Sequence, residues 1–137
     1  MPDTCICMAV RAASRSLTAR YDAVLEPVGI SLAQFSLLRT LSQHSPVSLT
    51  KLAERVELDR STLGRNVRVL QRAGLVAIRP GDDLREARLS LTAAGEATLR
   101  RAVPIWQGAQ DELLRRLGTD GAAQLEALLG VLQASEG

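Results

Sequence analysis

Residues 59–72, DRSTLGRNVRVLQR, constrain the fold more than any other stretch of the chain. Ser61, Arg65, Arg68 and Arg72 recur at i, i+4, i+7 and i+11, so they share one face of a helix. Leu63, Val67 and Leu70 recur at i, i+4 and i+7 on the opposite face. Residues 60–72 hold four arginines and no acid. One side of this helix is therefore apolar and the other cationic, which suits an element that lies on a core and offers its charged side to a polyanion. Asp59 is its expected N-cap, and Gly74 its expected left-handed exit.

The neighbouring segments give that helix a setting. Ile6, Val10, Ala13, Leu17, Tyr21, Val24 and Val28 recur at three- and four-residue steps, which predicts a first helix over residues 5–28, ended by Pro27 and Gly29. A stripe this long at a terminus needs a partner, and a second subunit is a natural one. Ser31 with Gln34 three residues on reads as a capping box for a second helix, buried through Phe35, Leu38 and Leu41. Ser45-Pro46 is a break, and Val47 can form a short β-bridge before Ser48 or Thr50 starts a third helix. That helix has Leu49, Leu52, Ala53 and Val56 as its apolar face.

Beyond Gly74, residues 75–78 and 87–91 read as two short strands joined by the Gly81-Asp82-Asp83 turn. They make a hairpin that carries Arg79, Arg85 and Arg88. Thr92 caps a fifth helix, with Pro104 a candidate kink. Gly118 is expected to stop that helix and Asp120 to cap a last one, whose stripe is Leu125, Leu128, Leu129 and Leu132.

Composition narrows the class. The chain has 137 residues, enough for one domain with a real core. It is 46% hydrophobic but only 2% aromatic, and Ala and Leu dominate, which favours a mainly helical fold. No apolar run is long enough for a transmembrane helix and no signal peptide is apparent, so a cytoplasmic protein without a membrane partner is expected. The net charge of +2 conceals an uneven distribution: residues 48–92 hold nine Lys/Arg against six Asp/Glu, and residues 110–137 hold two against five. Sixteen of the seventeen basic residues are arginine. Arginine suits phosphate and guanine edges, although GC-rich coding explains the same bias equally well.

Helix, helix, basic helix and basic hairpin follow in winged helix-turn-helix order. The second helix of such a pair enters the major groove, and the wing reaches the adjacent backbone or minor groove. Arg60, Ser61, Thr62, Arg65, Asn66 and Arg68 are the candidate groove contacts. Thr50 and Lys51, at the start of the preceding helix, are candidates for phosphate. The competing reading is a merely solvated basic face, and the attached wing makes it the weaker one.

Over essentially its whole length the chain resembles the MarR family of transcriptional regulators. DDLREARLSLTAAG, residues 82–95, is similar to the family's wing pattern, with Asp83 and Arg85 as the matching pair and Leu91, Thr92 and Gly95 closing it. LDRSTLGRNVRVLQRAGLV is similar to the family's recognition helix and its exit. The resemblance implies a single domain over 1–137, mainly α with a small β-hairpin wing. A winged helix-turn-helix lobe (31–95) is then flanked by N- and C-terminal dimerisation helices (5–28 and 96–134). It implies that Arg85 enters the minor groove and that Asp83 holds it. It implies a homodimer on pseudo-palindromic double-stranded DNA, acting as a transcriptional regulator and most naturally as a repressor. No catalytic residue and no cofactor is expected.

The signal is less defined. Cys5 and Cys7 are the only cysteines. If both lie on the first helix they point roughly 200° apart, poorly placed to close a disulfide or share a metal. CMAVRAASRSLTARY, residues 7–21, resembles the stretch around the reactive cysteine in the organic-hydroperoxide-sensing branch of the family. Cys7 falls on that cysteine and Tyr21 on one of its tyrosine partners. Arg11 stands where the other tyrosine would be, and a nearby guanidinium can itself lower a thiol pKa. The alternatives for Cys7 are a small hydrophobe in a dimer seam, a redox sensor, or a metal ligand. The family's other input is a small-molecule effector, often an aromatic anion, in a cleft for which Arg15, Tyr21 and Trp106 are candidates. An alternative of another class is a thiol-based redox enzyme or peroxide-reactive protein using Cys7, against which stands the lack of a His/Cys or Cys-x-x-Cys arrangement.

Overall fold

The computed structural model describes residues 3–56, 58–80 and 87–134. Helix α1 spans Ile6–Leu25 and runs into a 3-10 turn at Glu26–Val28, where Pro27 and then Gly29, at φ +83°, end it. Only Tyr21 and Leu25 of α1 are buried. Helix α2, Leu32–His44, begins with the capping box anticipated from Ser31 and Gln34. The Ser31 hydroxyl accepts from the Gln34 N–H at 3.2 Å, and the Gln34 side-chain oxygen accepts from the Ser31 N–H at 3.0 Å. The Asp22 carboxylate accepts from the Leu32 N–H at 2.7 Å and ties the end of α1 to the start of α2.

Strand β1 is two residues, Val47–Ser48. Ser48 caps α3, Leu49–Arg55, its hydroxyl accepting from the Lys51 N–H at 3.1 Å, so the helix starts from Ser48 and not from Thr50. Leu52 and Val56 are buried, but Leu49 is 42% exposed because the packed face begins one turn further on. Helix α4 covers Arg60–Arg72 and inserts Leu63, Val67 and Leu70 into the core. Gly74 follows it at φ +77°, and the Leu75 N–H donates back to the Leu70 carbonyl at 2.9 Å, closing the helix as glycine exits do.

Strands β2 (Val76–Arg79) and β3 (Arg88–Leu91) pair antiparallel, with β1 on the other edge of β3. The register sets Ile78 and Val47 on either side of Leu89, and Arg79 and Ser48 on either side of Arg88. The Gly81-Asp82-Asp83 turn lies outside the described residues. Sheet and helices close one core around Leu25, Phe35, Leu37, Leu38, Leu41, Leu52, Leu63, Leu70 and Leu89.

Helix α5, Ala93–Gln133, starts where Thr92 caps it, the hydroxyl accepting from the Gly95 N–H at 3.0 Å and donating to the Gly74 carbonyl at 2.6 Å. A Cβ at Gly95 would run into the Leu75 carbonyl. The Leu-Thr and Gly of the wing pattern therefore have a mechanical role: they lay the long helix across the exit of α4. Pro104 keeps helical backbone angles, and the one break in α5 falls at Gly118, at φ +73° and ψ +167°. The chain resumes as helix at once. Beyond Leu113 the apolar side chains of α5 find little cover in the same chain, with Leu128 62% and Val131 73% exposed.

Candidate nucleic-acid interface

Asp59 organises the front of α4. Its Oδ1 accepts from the Thr62 N–H at 2.8 Å and the Ser61 hydroxyl at 2.7 Å, and its Oδ2 accepts from the Thr62 hydroxyl at 2.9 Å. These donors, the backbone N–H foremost, hold its carboxyl down to about 2. Arg65 in turn donates to the Thr62 hydroxyl at 3.3 Å. Asn66 donates to the Thr62 carbonyl at 3.1 Å and accepts from the Gln34 side chain at 3.3 Å, joining α4 to α2.

The residues expected at the groove thus divide in two. Ser61, Thr62 and Asn66 are drawn into the frame of the helix start, both hydroxyl donors and one of the two Asn66 amide hydrogens being used locally. Arg60, Arg65, Arg68 and Arg72 are exposed, and Arg65, Arg68 and Arg72 line the side opposite the buried leucines. Thr50 and Lys51 are exposed at the first turn of α3, where Lys51 lies 3.5 Å from Glu54. Asp83 and Arg85 lie outside the described residues. The root of their hairpin is fixed by Arg79 facing Arg88. Gln34 escaped the sequence reading as a groove-helix support, because a capping residue gives no sign that its amide also reaches a second helix.

The sensor candidates do not gather within one chain. Cys5 is the N-cap of α1 in an extended conformation, φ −65° and ψ +116°, so the 200° separation expected of two helical residues does not apply to the pair. Both cysteines are exposed. Arg11 is one turn from Cys7 and also exposed, whereas Tyr21 is fourteen residues on along the same helix, about 21 Å at 1.5 Å per residue. The Tyr21 hydroxyl donates instead to Gln110 on α5 at 2.6 Å, and burial pushes its phenol up while Arg20 pulls it slightly down. Among the described residues no three His, Cys, Asp or Glu side chains come together to hold a metal ion.

Trp106 stacks on Phe35 with ring centroids 5.6 Å apart, and the Arg39 guanidinium lies 4.6 Å over its ring. These three line a cleft of about 460 Å³ with Thr18 and Leu32, between the helical arms and the reading lobe. Arg15, expected there, is exposed on α1 and is not part of its wall; Arg39 supplies the cation instead. The spacing of Phe35 and Arg39, one turn apart on α2, carried that signal unread.

A helix pair whose second member turns a cationic side outward, followed by a small antiparallel sheet, defines the winged helix-turn-helix class. The MarR family model matches residues 30–86. The chain is 30% identical over 101 residues to the organic hydroperoxide resistance transcriptional regulator of Bacillus subtilis, covering 73% of this chain and 69% of that one. It is 31% identical over 115 residues to the HTH-type transcriptional repressor Rv2887 of Mycobacterium tuberculosis, covering 82% of each. The crystal structure of the M. tuberculosis transcriptional regulator MosR in complex with DNA superposes with a TM-score of 0.78 at 36% identity, over 96% of this chain and 100% of that one. This chain belongs to the MarR family. No helix among the described residues is long and apolar enough to cross a membrane.

Proposed function

We propose that the protein is a dimeric, sequence-specific DNA-binding transcriptional regulator of the cytoplasm, acting as a repressor that a small ligand or thiol oxidation releases. The observation that carries this reading is the outward side of α4, where Arg65, Arg68 and Arg72 stand exposed while Leu63, Val67 and Leu70 anchor the other side. A helix anchored in this way presents its arginines to a major groove from a backbone already in place. The DNA in the MosR complex supports the same use of the fold.

In this reading Arg60, Arg65 and Arg68 meet bases and phosphates directly, Ser61 and Thr62 contribute hydroxyl lone pairs left over from their local bonds, and Asn66 contributes the second hydrogen of its amide. Thr50 and Lys51 meet the backbone. Arg85, held by Asp83, enters the minor groove, as the resemblance of the wing implies. Dimerisation is supported by the exposed apolar side chains of α1 and of α5 beyond Gly118, among them Ile6, Val10, Leu128 and Val131. The aromatic cleft at Trp106 and Arg39 suits a flat anionic effector. A sensing role for Cys7 is supported by its exposure and by Arg11 one turn away; a Tyr21 partner would have to come from a second copy.

The test is a binding assay on duplex DNA from upstream of the protein's own gene. Arg65→Ala and Arg85→Ala are expected to lower affinity by about tenfold or more, in line with roughly 1–3 kcal/mol for a good base contact. The assay is repeated after treatment with an organic hydroperoxide, in wild type and Cys7→Ser. Loss of binding in oxidised wild type alone assigns the switch to Cys7, and identical behaviour of the two rejects it. Sustained consumption of peroxide by the purified protein would favour the enzyme reading instead.

A further inference from the structure

We propose that the cavity between the end of α2, the outer side of α3 and the first residue of β3 is a phosphate site, filled by a backbone phosphate of duplex DNA. The inference rests on the DNA-binding reading and extends it to His44, Arg55 and Arg88, which that reading does not use. The cavity measures about 370 Å³, and His44, Ser48, Lys51, Arg55 and Arg88 stand around it. Three elements converge there with three permanent cations and an imidazole, and among the described residues no acidic side chain lines it.

The bonds among the described residues leave this set available. The Arg55 guanidinium lies 3.3 Å from Nε2 of His44. A guanidinium carries five donors and accepts nothing, so this contact occupies one of the five. Lys51 pairs with Glu54 at 3.5 Å, with 65% and 60% of the two side chains exposed, the kind of surface pair that contributes little and yields to a better partner. Arg88 faces Ser48 across one ladder and Arg79 across the other, which adds a further positive charge to the same end of the sheet. A tetrahedral anion with several acceptor oxygens suits such a convergent set of donors.

Position selects the duplex as the source of that anion. In a helix-turn-helix the helix before the reading helix crosses the DNA backbone. Here that helix is α3, and its Lys51 and Arg55, four residues apart, both face the cavity. Arg88 begins the strand that leads out of the wing. The cavity therefore lies between the two parts of the lobe that straddle a phosphate strand.

The experiment compares wild type, Arg55→Gln/Arg88→Gln and Arg55→Lys/Arg88→Lys by fluorescence anisotropy on an upstream duplex and a scrambled one, across a range of salt. Thermal melts confirm that each variant is folded, and His44→Gln and the single Arg88→Gln serve if the double variant is not. The glutamine variant should bind both duplexes more weakly by a similar factor, with the slope of log K against log salt smaller by about 1. The lysine variant should keep the wild-type slope. Unchanged affinity and slope in the glutamine variant would overturn the proposal. So would a melting shift with inorganic phosphate that the glutamine variant loses while its duplex binding stays intact, which would make this a free-anion site. Wild type that binds neither duplex would remove the DNA-binding reading itself, and the phosphate site with it.

Discussion

Two glycines in helices make opposite predictions because their surroundings differ. Gly95 abuts the Leu75 carbonyl, so Gly95→Ala forces the start of α5 away from the exit of α4. Overpacking of this kind costs about 1–3 kcal/mol. A Cβ at Gly64 meets nothing within 4 Å and its backbone is helical, so Gly64→Ala should stabilise the protein by roughly 0.5–1 kcal/mol. Urea denaturation at one fixed protein concentration measures both signs. Asp59 gives a pH signature. Its carboxyl is lowered from 3.8 to about 2 in the folded chain, so its stabilising contribution is complete above about pH 4 and is lost as pH falls towards 2. Asp59→Asn keeps a cap but cannot titrate, so its melting temperature should fall less than that of wild type between those two pH values.

At the scale of elements, most of the fold was legible because the local signals agree with one another. Ser31 with Gln34, Ser48, Asp59 and Thr92 all cap the helices they were expected to cap. What the sequence could not yield is of two kinds. Leu49 fits the stripe of α3 but lies outside the packed turn, a matter of where the core ends and not of periodicity. Arg39, Gln34 and Gln110 act through contacts between helices far apart in the chain, which spacing along one helix does not encode. Gly118, by contrast, does what the sequence led one to expect: its backbone leaves helical angles at φ +73° and ψ +167°, and a last helical stretch follows that bend. The exposed stripe beyond that bend belongs to the proposed dimer: Leu128→Glu with Val131→Glu should shift the protein from two chains to one in analytical ultracentrifugation. A wild type that sediments as a monomer at micromolar concentration would contradict this.

At the scale of the whole molecule, the cationic side of α4, the hairpin root and the basic cavity on the outer side of α3 belong to one lobe, while α1 and the far half of α5 extend from it. Two copies joined through those arms would set two reading helices about one helical turn apart on a pseudo-palindromic duplex. Opening of the Trp106 cleft or oxidation near Cys7 would then act by changing that spacing, since neither lies on the reading face. The most direct measurement is the stoichiometry and salt dependence of binding to a duplex from the protein's own upstream region. Two chains per duplex are predicted, with affinity falling linearly in log salt and dropping about tenfold or more in Arg65→Ala. One chain per duplex, or binding indifferent to both salt and Arg65, would contradict it.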